Sequence, residues 1–229
     1  TFFVFSDYLK AALRLSALQN LPVTYVFTHD SIAVGEDGPT HEPIEHLASL
    51  RTIPNTYVFR PADATEAQAA WYLSQKVNNK PTSLVLTRQN LPVLENTSFE
   101  KVSKGAYVVY ETSSDFDTIL IATGSEVALA VDAARELEKE GSKVRVVSMP
   151  SVELFEEQSK EYKEELLPRS VRRRVSLEMG NTALWYKYVG LDGLAIGIDN
   201  FGASAPANKV IEEYGFTVAK VVERIKNEL

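Results

Sequence analysis

The sequence contains no cysteine among its 229 residues. Disulfide bonds, thiolate nucleophiles and zinc sites built on thiolates are therefore excluded. Disulfide bonds are rare in proteins of the reducing cytosol, so we expect a cytoplasmic location. The sequence also lacks any apolar run that approaches the roughly 20 residues of a membrane-spanning helix, so we expect no membrane partner.

Positive charge is in deficit, because 24 Lys and Arg residues stand against 31 Asp and Glu residues, giving a formal net charge of −7. This balance argues against non-specific binding to nucleic acid or to an anionic membrane surface. A small anionic ligand can still be held by a local cluster of bases. The basic run Arg172–Arg174 is interpreted as a solvated loop or strand entry.

Histidine is scarce, and its distribution is informative. Of the three histidines, His29 and His41 both lie in the stretch 28–43, and His46 follows shortly after. Gly35 and Gly38 permit backbone angles that other residues avoid, so they predict a loop of defined shape. The stretch follows an apolar run, and the loops after strands are where α/β proteins place their chemistry.

Hydrophobic periodicity predicts an α/β fold. Within residues 1–88, short apolar runs alternate with helical patterns, from a first strand to a fourth. Such alternation predicts right-handed crossovers and a parallel sheet. A second alternation begins near residue 118. We therefore predict two three-layer α/β/α domains with mostly parallel sheets, at 1–92 and 105–229, joined by a linker at 93–104.

Local signals predict the individual elements of the first half. We expect a strand at Phe2–Phe5, a helix from Tyr8 capped by Asp7, a central strand at Val23–Thr28, a helix from Pro43, a strand at Tyr57–Phe59, a helix from Ala64 to about Lys76 capped by Asp63, and a strand at Ser83–Thr87. In the second half we expect strands at Thr118–Ala122, Val144–Met149, Arg174–Glu178 and Leu194–Ile198, with helices from Ser125 to about Glu140, within Glu153–Leu167 and at Val218–Glu228.

Four residues are candidates for chemistry: His29, Asp37, His41 and Arg88. Histidine can donate and accept protons near neutral pH, and the planar fork of arginine suits phosphate. At the carboxyl ends of parallel strands, this set would receive an anionic, hydroxyl-rich ligand. From the pattern alone, a structural role as hydrogen-bond donors is the more common outcome for such histidines.

Other residues have plainer interpretations. Phe2, Phe5 and Tyr8 are spaced by three, which is typical of a packed core, although aromatic side chains there can also wall a flat heteroaromatic ring. The isolated acids of the second half are expected to be surface or capping groups. These acids are Glu178, Asp192 and Asp199.

Several segments closely resemble the signatures of the transketolase family. They are Thr1–Tyr8, Thr28–Pro43, Arg60–Asp63, Leu86–Pro92, Ile121–Val127 and Asp199–Ser204. The resemblance covers essentially the whole chain, and its most specific part is the loop from His29 to His41. It implies an enzyme that uses thiamine diphosphate, with Mg²⁺ or Ca²⁺, to move a two-carbon ketol unit between sugar phosphates.

The resemblance also implies that the chain is a fragment. It places 1–92 in a pyrimidine-binding domain without its beginning, and 105–229 in the family's C-terminal domain. The diphosphate-binding domain, the metal ligands and the glutamate that activates the cofactor would then lie outside this chain. We expect a homodimer that shares its active site between chains, and a fragment that is inactive alone. An inactive folding and dimerisation unit, or a fragment of a related enzyme such as dihydroxyacetone synthase, are the alternatives.

The resemblance assigns a role to each candidate residue. Phe5 resembles the aromatic that stacks on the aminopyrimidine of the cofactor, with Phe2 and Tyr8 beside it. For the substrate, His29 and Arg88 resemble the pair that grips the phosphate, Asp37 the residue that binds a hydroxyl, and His41 the catalytic histidine near the reacting carbonyl.

The sequence departs from the family pattern at two positions of the loop. Ala33 stands where Gly is frequent, which would strain the backbone only if that position needs a positive φ. Glu42 stands where Gln is frequent, and it adds an acidic group beside His41. His46 has no functional counterpart, and we expect it on a helix surface or in packing.

Overall fold

The structure, a computed structural model, describes all residues from Thr1 to Leu229. The first half contains a parallel three-stranded sheet in the order β1-β3-β2. Its strands are β1 (Thr24–Thr28), β2 (Tyr57–Phe59) and β3 (Thr82–Leu86), and its helices are α1 (Ser6–Leu18), α2 (His46–Arg51) and α3 (Ala64–Lys76).

The second half contains a five-stranded sheet in the order β4-β6-β5-β7-β8, in which only β4 is antiparallel. Its strands are β4 (Tyr107–Glu111), β5 (Thr118–Ala122), β6 (Val144–Ser148), β7 (Arg173–Leu177) and β8 (Leu194–Ile196). Its helices are α4 (Glu126–Lys139), α5 (Val152–Glu156), α6 (Lys160–Leu166), α7 (Tyr186–Val189), α8 (Ala207–Glu213) and α9 (Val218–Glu228). Short 3-10 helices occur at Phe3–Phe5, Ile32–Val34, Lys101–Lys104 and Ala183–Trp185.

Each sheet is covered by helices on both faces. In the first half, α1 and α2 pack on one face through Leu13 and Leu50, and α3 packs on the other through Ala69. In β5, alternate side chains point to opposite faces: Leu120 joins the core beneath α4 and α9, and Ile121 joins the core beneath α5 to α7. The predicted α/β class, with three-layer packing and mostly parallel sheets, is confirmed.

Capping chemistry sets the boundary of α3 where the sequence predicts it. The Asp63 side chain accepts a hydrogen bond from the Glu66 backbone N–H at 3.0 Å. The Glu66 carboxylate reaches back and accepts from the Ala62 backbone N–H at 2.7 Å. The two contacts satisfy donors that a helix start otherwise leaves free. The second Asp63 oxygen accepts from Leu94 N–H at 2.9 Å and thereby ties the connecting segment to α3.

The strand and the helix cap predicted for the amino-terminal segment were wrong, although the helix predicted from Tyr8 is present as α1. Phe2 makes a single parallel bridge to Thr28, and the chain then turns into the 3-10 helix Phe3–Phe5 instead of continuing as a strand. That turn runs directly into α1, so Asp7 lies inside the first turn and does not cap the helix. Asp7 instead accepts from Lys10 at 2.8 Å.

Other predictions failed because they depended on contacts distant in sequence. The central strand of the first sheet is β3, which pairs with β1 on one side and β2 on the other. The predicted central strand, β1, is therefore at the edge of this sheet. The helix predicted from Pro43 begins at His46. The residues before it contact the second half instead, since the Ile44 backbone oxygen accepts from Asn181 N–H at 3.0 Å. The antiparallel β4 and the short helices α7 and α8 carry little periodicity, and the sequence did not predict them.

A buried arginine joins the two sheets. Arg60 directly follows β2, has no exposed surface, and donates to Asp30 at 2.9 Å and to the backbone oxygen of Thr123 at 3.0 Å. It also forms an ion pair with Glu126 at the start of α4. A Cβ on Gly124 would lie 2.7 Å from the Arg60 guanidinium carbon, so the turn after β5 has room only for glycine.

A second buried ion pair corrects the interpretation of Glu178 as an isolated surface or capping acid. Glu178 is 1 % exposed, and both of its oxygens accept from the Arg51 guanidinium at 2.8 Å. It also accepts from the Trp185 indole at 3.0 Å. Charge from Arg51 and hydrogen bonds outweigh burial and lower the pKa of Glu178 to about 2. Asp199 is an exposed acid, as predicted, and accepts from Thr182 N–H at 3.0 Å.

The Arg60 contacts predict a large stability difference between two arginines. Arg60→Met should lower the free energy of unfolding by about 3–5 kcal/mol, because it leaves Asp30 and Glu126 buried without their cation. Arg135→Met, at an exposed ion pair with Asp132, should cost less than about 1 kcal/mol. Urea unfolding followed by circular dichroism measures both, and equal losses would contradict the structural role of Arg60.

Candidate active site

Glycines shape the loop between β1 and α2, as predicted. Gly35 has φ +83° and Gly38 has φ +74°, both in the left-handed region. The 3-10 helix Ile32–Val34 precedes them, and the Ser31 hydroxyl accepts from Ala33 N–H at 3.3 Å at its start. Ala33 lies within this helix and is not among the residues with positive φ, so its replacement of glycine causes no backbone strain.

His29 occupies an unusual backbone conformation at the carboxyl end of β1. Its φ of +62° is rare for a residue with a side chain, and such positions cluster at functional sites. The imidazole stacks on the ring of Phe2, with centroids 3.6 Å apart and planes within 18°. Its Nδ1 lies 3.0 Å from the Thr28 hydroxyl. Stacking and hydrogen bonding together orient the ring.

His41, at the other end of the loop, meets the same aromatic group. Its ring stands edge-on to Phe5 at 5.4 Å and to Phe2 at 6.4 Å. Phe2 and Phe5 are nearly parallel at 6.3 Å, and Tyr8 lies 6.1 Å beyond Phe5 with 88 % of its surface exposed. The two histidines predicted from opposite ends of the loop are therefore neighbours across one cluster of aromatic rings.

Asp37 and Arg88 are exposed and lie close enough to His29 to change its pKa. Burial lowers the pKa of His29, the positive charge of Arg88 lowers it further, and the carboxylates of Asp37 and Asp30 raise it. The net shift is downward, so His29 is mainly neutral at pH 7. The structure thus brings all four predicted substrate residues to one edge of the first sheet.

The aromatic cluster fits one part of the implied cofactor. Phe2 and Phe5 are half-buried and Tyr8 is exposed, so ring faces are available to a flat heteroaromatic group.

A cluster of possible metal ligands, Asp7, Glu45 and His46, is better explained by contacts within the protein. His46 Nε2 is 3.2 Å from Asp7, which also pairs with Lys10. Because His46 is 4 % exposed and packs edge-on to the Phe3 ring, we assign it a packing role.

The second half of the chain contacts the loop, which the sequence did not indicate. The Ser204 hydroxyl donates to the backbone oxygen of Glu36 at 2.6 Å. The side chain of Ser204 fills the space beside Gly38, and α8 packs against the 3-10 helix Ile32–Val34. The only sequence signal for this contact region was the resemblance of Asp199–Ser204 to the transketolase family. That resemblance did not predict a contact with the loop.

Comparisons with known proteins agree with this arrangement. Residues 1–93 match the family described as "Transketolase, pyrimidine binding domain", and residues 105–217 match "Transketolase-like TK C-terminal domain". The chain belongs to the transketolase family. It is 70 % identical to a probable transketolase of Streptococcus pneumoniae and 60 % identical to the transketolase of Bacillus subtilis, in each case over 99 % of this chain and 34 % of that protein.

Solved transketolase structures share the fold. A transketolase complex with sedoheptulose 7-phosphate from Pichia stipitis superposes with a TM-score of 0.94 at 46 % identity, over 100 % of this chain and 33 % of that chain. A split-gene transketolase, described as an inactive β4 tetramer, superposes with a TM-score of 0.82 at 25 % identity, over 100 % of this chain and 74 % of that chain. The chain thus spans about a third of the length of the curated relatives that it matches.

The electrostatics of the site predict opposite shifts at one histidine. Arg88→Ala removes a cation and should raise the pKa of His29, whereas Asp37→Asn removes an anion and should lower it. Because the chain has three histidines, two-dimensional NMR titration can follow each ring, with His→Gln variants for assignment. Arg169→Ala, at a 91 % exposed side chain of the second half, is the control and should leave His29 unchanged. Shifts of the same sign for the first two variants would contradict this geometry.

Proposed function

We propose that this chain supplies part of a transketolase active site, which transfers a two-carbon ketol unit between phosphorylated sugars. The observation that carries this proposal is the convergence of His29 and His41 on the Phe2 ring, with Arg88 and Asp37 at the same edge. Related structures contain sugar phosphates: complexes with xylulose 5-phosphate, sedoheptulose 7-phosphate and fructose 6-phosphate are described for the Pichia stipitis enzyme.

The aromatic residues would hold the pyrimidine end of thiamine diphosphate. Phe5 would stack on the aminopyrimidine, with Phe2 and Tyr8 walling its sides. Bound thiamine diphosphate supplies the carbanion chemistry of ketol transfer. The diphosphate and its Mg²⁺ or Ca²⁺ would be held by the diphosphate-binding domain of the family.

The polar residues would bind the sugar phosphate and move a proton. Arg88 provides the permanent positive charge for the phosphate, and neutral His29 provides a hydrogen bond. A bound phosphate would favour protonation of His29 and strengthen that contact. Asp37 would accept a hydrogen bond from a substrate hydroxyl, and His41 would transfer a proton at the reacting carbonyl.

The complete enzyme would be a cytoplasmic homodimer, with each site formed by residues of two chains. In this proposal the chain without the diphosphate-binding domain is a folded but inactive unit. The split-gene relative supports this second role, because its chain is of comparable extent and is described as an inactive tetramer. The two roles are compatible, since the same fold presents half of the site.

Complementation separates the two roles. With thiamine diphosphate, Mg²⁺ and xylulose 5-phosphate plus ribose 5-phosphate, the chain alone should show no ketol transfer. Addition of the segments that the family resemblance places outside this chain should restore transfer, because the diphosphate-binding domain supplies the missing ligands and the beginning of the pyrimidine-binding domain supplies the activating glutamate. A coupled assay for glyceraldehyde 3-phosphate measures both states. Turnover by the chain alone would contradict the proposal, as would the failure of a folded, assembled pair to react.

Loss of Arg88 should weaken phosphate recognition selectively. In the complete enzyme, Arg88→Ala should raise KM for phosphorylated ketoses by about 10–100-fold, since a charge-assisted contact contributes on the order of 1.5–3 kcal/mol. KM for unphosphorylated ketoses should change little. Arg169→Ala serves as the matched control, and an equal effect of Arg88→Ala on both substrate classes would exclude the phosphate role.

A further inference from the structure

Glu42 is a buried carboxylic acid without a hydrogen-bond partner. Its side chain is 2 % exposed, and neither of its oxygens accepts a hydrogen bond. The backbone N–H groups of Gly35 and Ala203 favour the charged form without meeting hydrogen-bonding geometry, and the effect of burial on the pKa is larger. A buried acidic group with so little compensation is costly when charged. Such a group calls for an explanation beyond packing.

The Glu42 carboxyl lies at the seam between the loop and the second half. A Cβ on Gly202 would overlap Glu42 Oε2, so the carboxyl occupies the space that a side chain at residue 202 would fill. Gly202 is not among the glycines with positive φ, so its backbone conformation does not itself require glycine. The absence of a side chain at this position is therefore explained by the carboxyl of Glu42.

The same seam holds the other end of the loop. The Ser204 hydroxyl donates to the Glu36 backbone oxygen at 2.6 Å, and a Cβ on Gly35 would lie 3.0 Å from the Ala207 backbone nitrogen. Between these contacts the loop is closed by its own backbone, with His41 N–H donating to Gly38 oxygen at 2.9 Å. Asp37 and His41 thus lie between two points at which the loop touches the second half.

We propose that Glu42 is a positioning residue, whose buried carboxyl couples the loop that carries Asp37 and His41 to the segment Asp199–Ser204. This role rests on the proposed function, because it matters for catalysis only if Asp37 and His41 contact the substrate. The coupling itself is a property of the fold. It makes the position of the loop depend on pH.

No charged side chain compensates Glu42. Burial raises the pKa of Glu42 to about 7, and only the two backbone N–H groups oppose that shift. The charged groups on the packed elements are engaged elsewhere or exposed. Glu36 and Asp37 are exposed, His41 Nδ1 lies 2.9 Å from Thr40, Asp199 accepts from Asn181 and Thr182, and Glu45 and Asp7 flank His46.

The sign of the pH effect follows from the raised pKa. When the loop opens, the exposed Glu42 returns to its ordinary value of 4.5 and binds protons less readily than the closed loop does. Raising the pH therefore favours the open loop until Glu42 ionises in both states. For values of 4.5 and about 7, the open population should grow about tenfold between pH 6 and pH 8.5.

Hydrogen exchange of the holoenzyme tests the coupling without turnover. In the complete enzyme with thiamine diphosphate and Mg²⁺, protection of the amides of Gly38, His41 and Glu42 should fall about tenfold from pH 6 to pH 8.5, after correction for intrinsic exchange. In Glu42→Gln, which keeps the shape without the charge, this fall should disappear. Glu36→Gln, an exposed change on the same loop, should keep it. Equal pH dependence in the parent and Glu42→Gln would overturn the proposal.

Kinetics and a second variant complete the test. KM for xylulose 5-phosphate should rise more steeply with pH in the parent than in Glu42→Gln, with kcat less affected.

Gly202→Ala should displace the Glu42 carboxyl and expose the loop amides at pH 6, and Glu42→Ala/Gly202→Ala should recover protection because the clash is removed. If Gly202→Ala leaves the loop protected, the coupling is refuted. A parent enzyme without ketol transfer, but with the predicted exchange, would refute the proposed function and leave the coupling intact.

Discussion

The ion pairs around Arg60 are the constraint on which the arrangement of the two sheets depends. Arg60 follows β2 and Asp30 follows β1, both at the carboxyl ends of strands of the first sheet. Thr123 follows β5 and Glu178 follows β7, at the carboxyl ends of strands of the second sheet. The two parallel sheets therefore meet where both would otherwise present open loops. The fully buried Arg60 guanidinium stabilises this contact between the sheets, because displacing it would leave buried carboxylates unpaired.

This arrangement decides what the candidate active site can be. The loop from His29 to His41 leaves the first sheet at the same edge, directly beside Asp30, and the second half closes over its far side through Ser204. A loop with two positive-φ glycines would have many conformations by itself. Contacts with both halves select one of them, so the C-terminal half contributes to the site although it places no candidate catalytic group there.

Local sequence signals were sufficient for much of the fold. The strands at 57–59 and 118–122, the Asp63 cap and the helix at 218–228 were predicted to the residue, because cap chemistry and apolar period act over a few positions. The segment before α1 failed for the opposite reason. Four strand-forming residues at Phe2–Phe5 predict a strand, yet only Phe2 forms a β-bridge, and the 3-10 helix that leads into α1 overrides the propensity of the other three.

The residues of the candidate site were also predictable only where local sequence signals indicated them. Residue types and strand ends indicated His29, Asp37, His41 and Arg88, and the family resemblance indicated Phe2, Phe5 and Tyr8. Neither indicated Glu178 as a buried partner of Arg51, or Glu42 as a contact of Gly202, because those pairs are joined only by the tertiary structure. A charged residue in a sequence is presumed to be solvated, and burial with a partner is visible only once the chain is folded.

A net charge of −7 is unexpected for a chain proposed to bind a phosphorylated sugar, and the local electrostatics bear on that proposal. Asp30, next to His29, is bound by Arg60, so its negative charge is compensated within the seam. Glu42, next to His41, has a pKa raised to about 7 by burial, so its charge is reduced at neutrality and largely suppressed only below it. Of the acids on the loop, Glu36 and Asp37 remain exposed, and the exposed Arg88 opposes their charge at His29. The site is therefore less negative than its sequence suggests, because the fold pairs one neighbouring carboxylate with Arg60 and raises the pKa of the other.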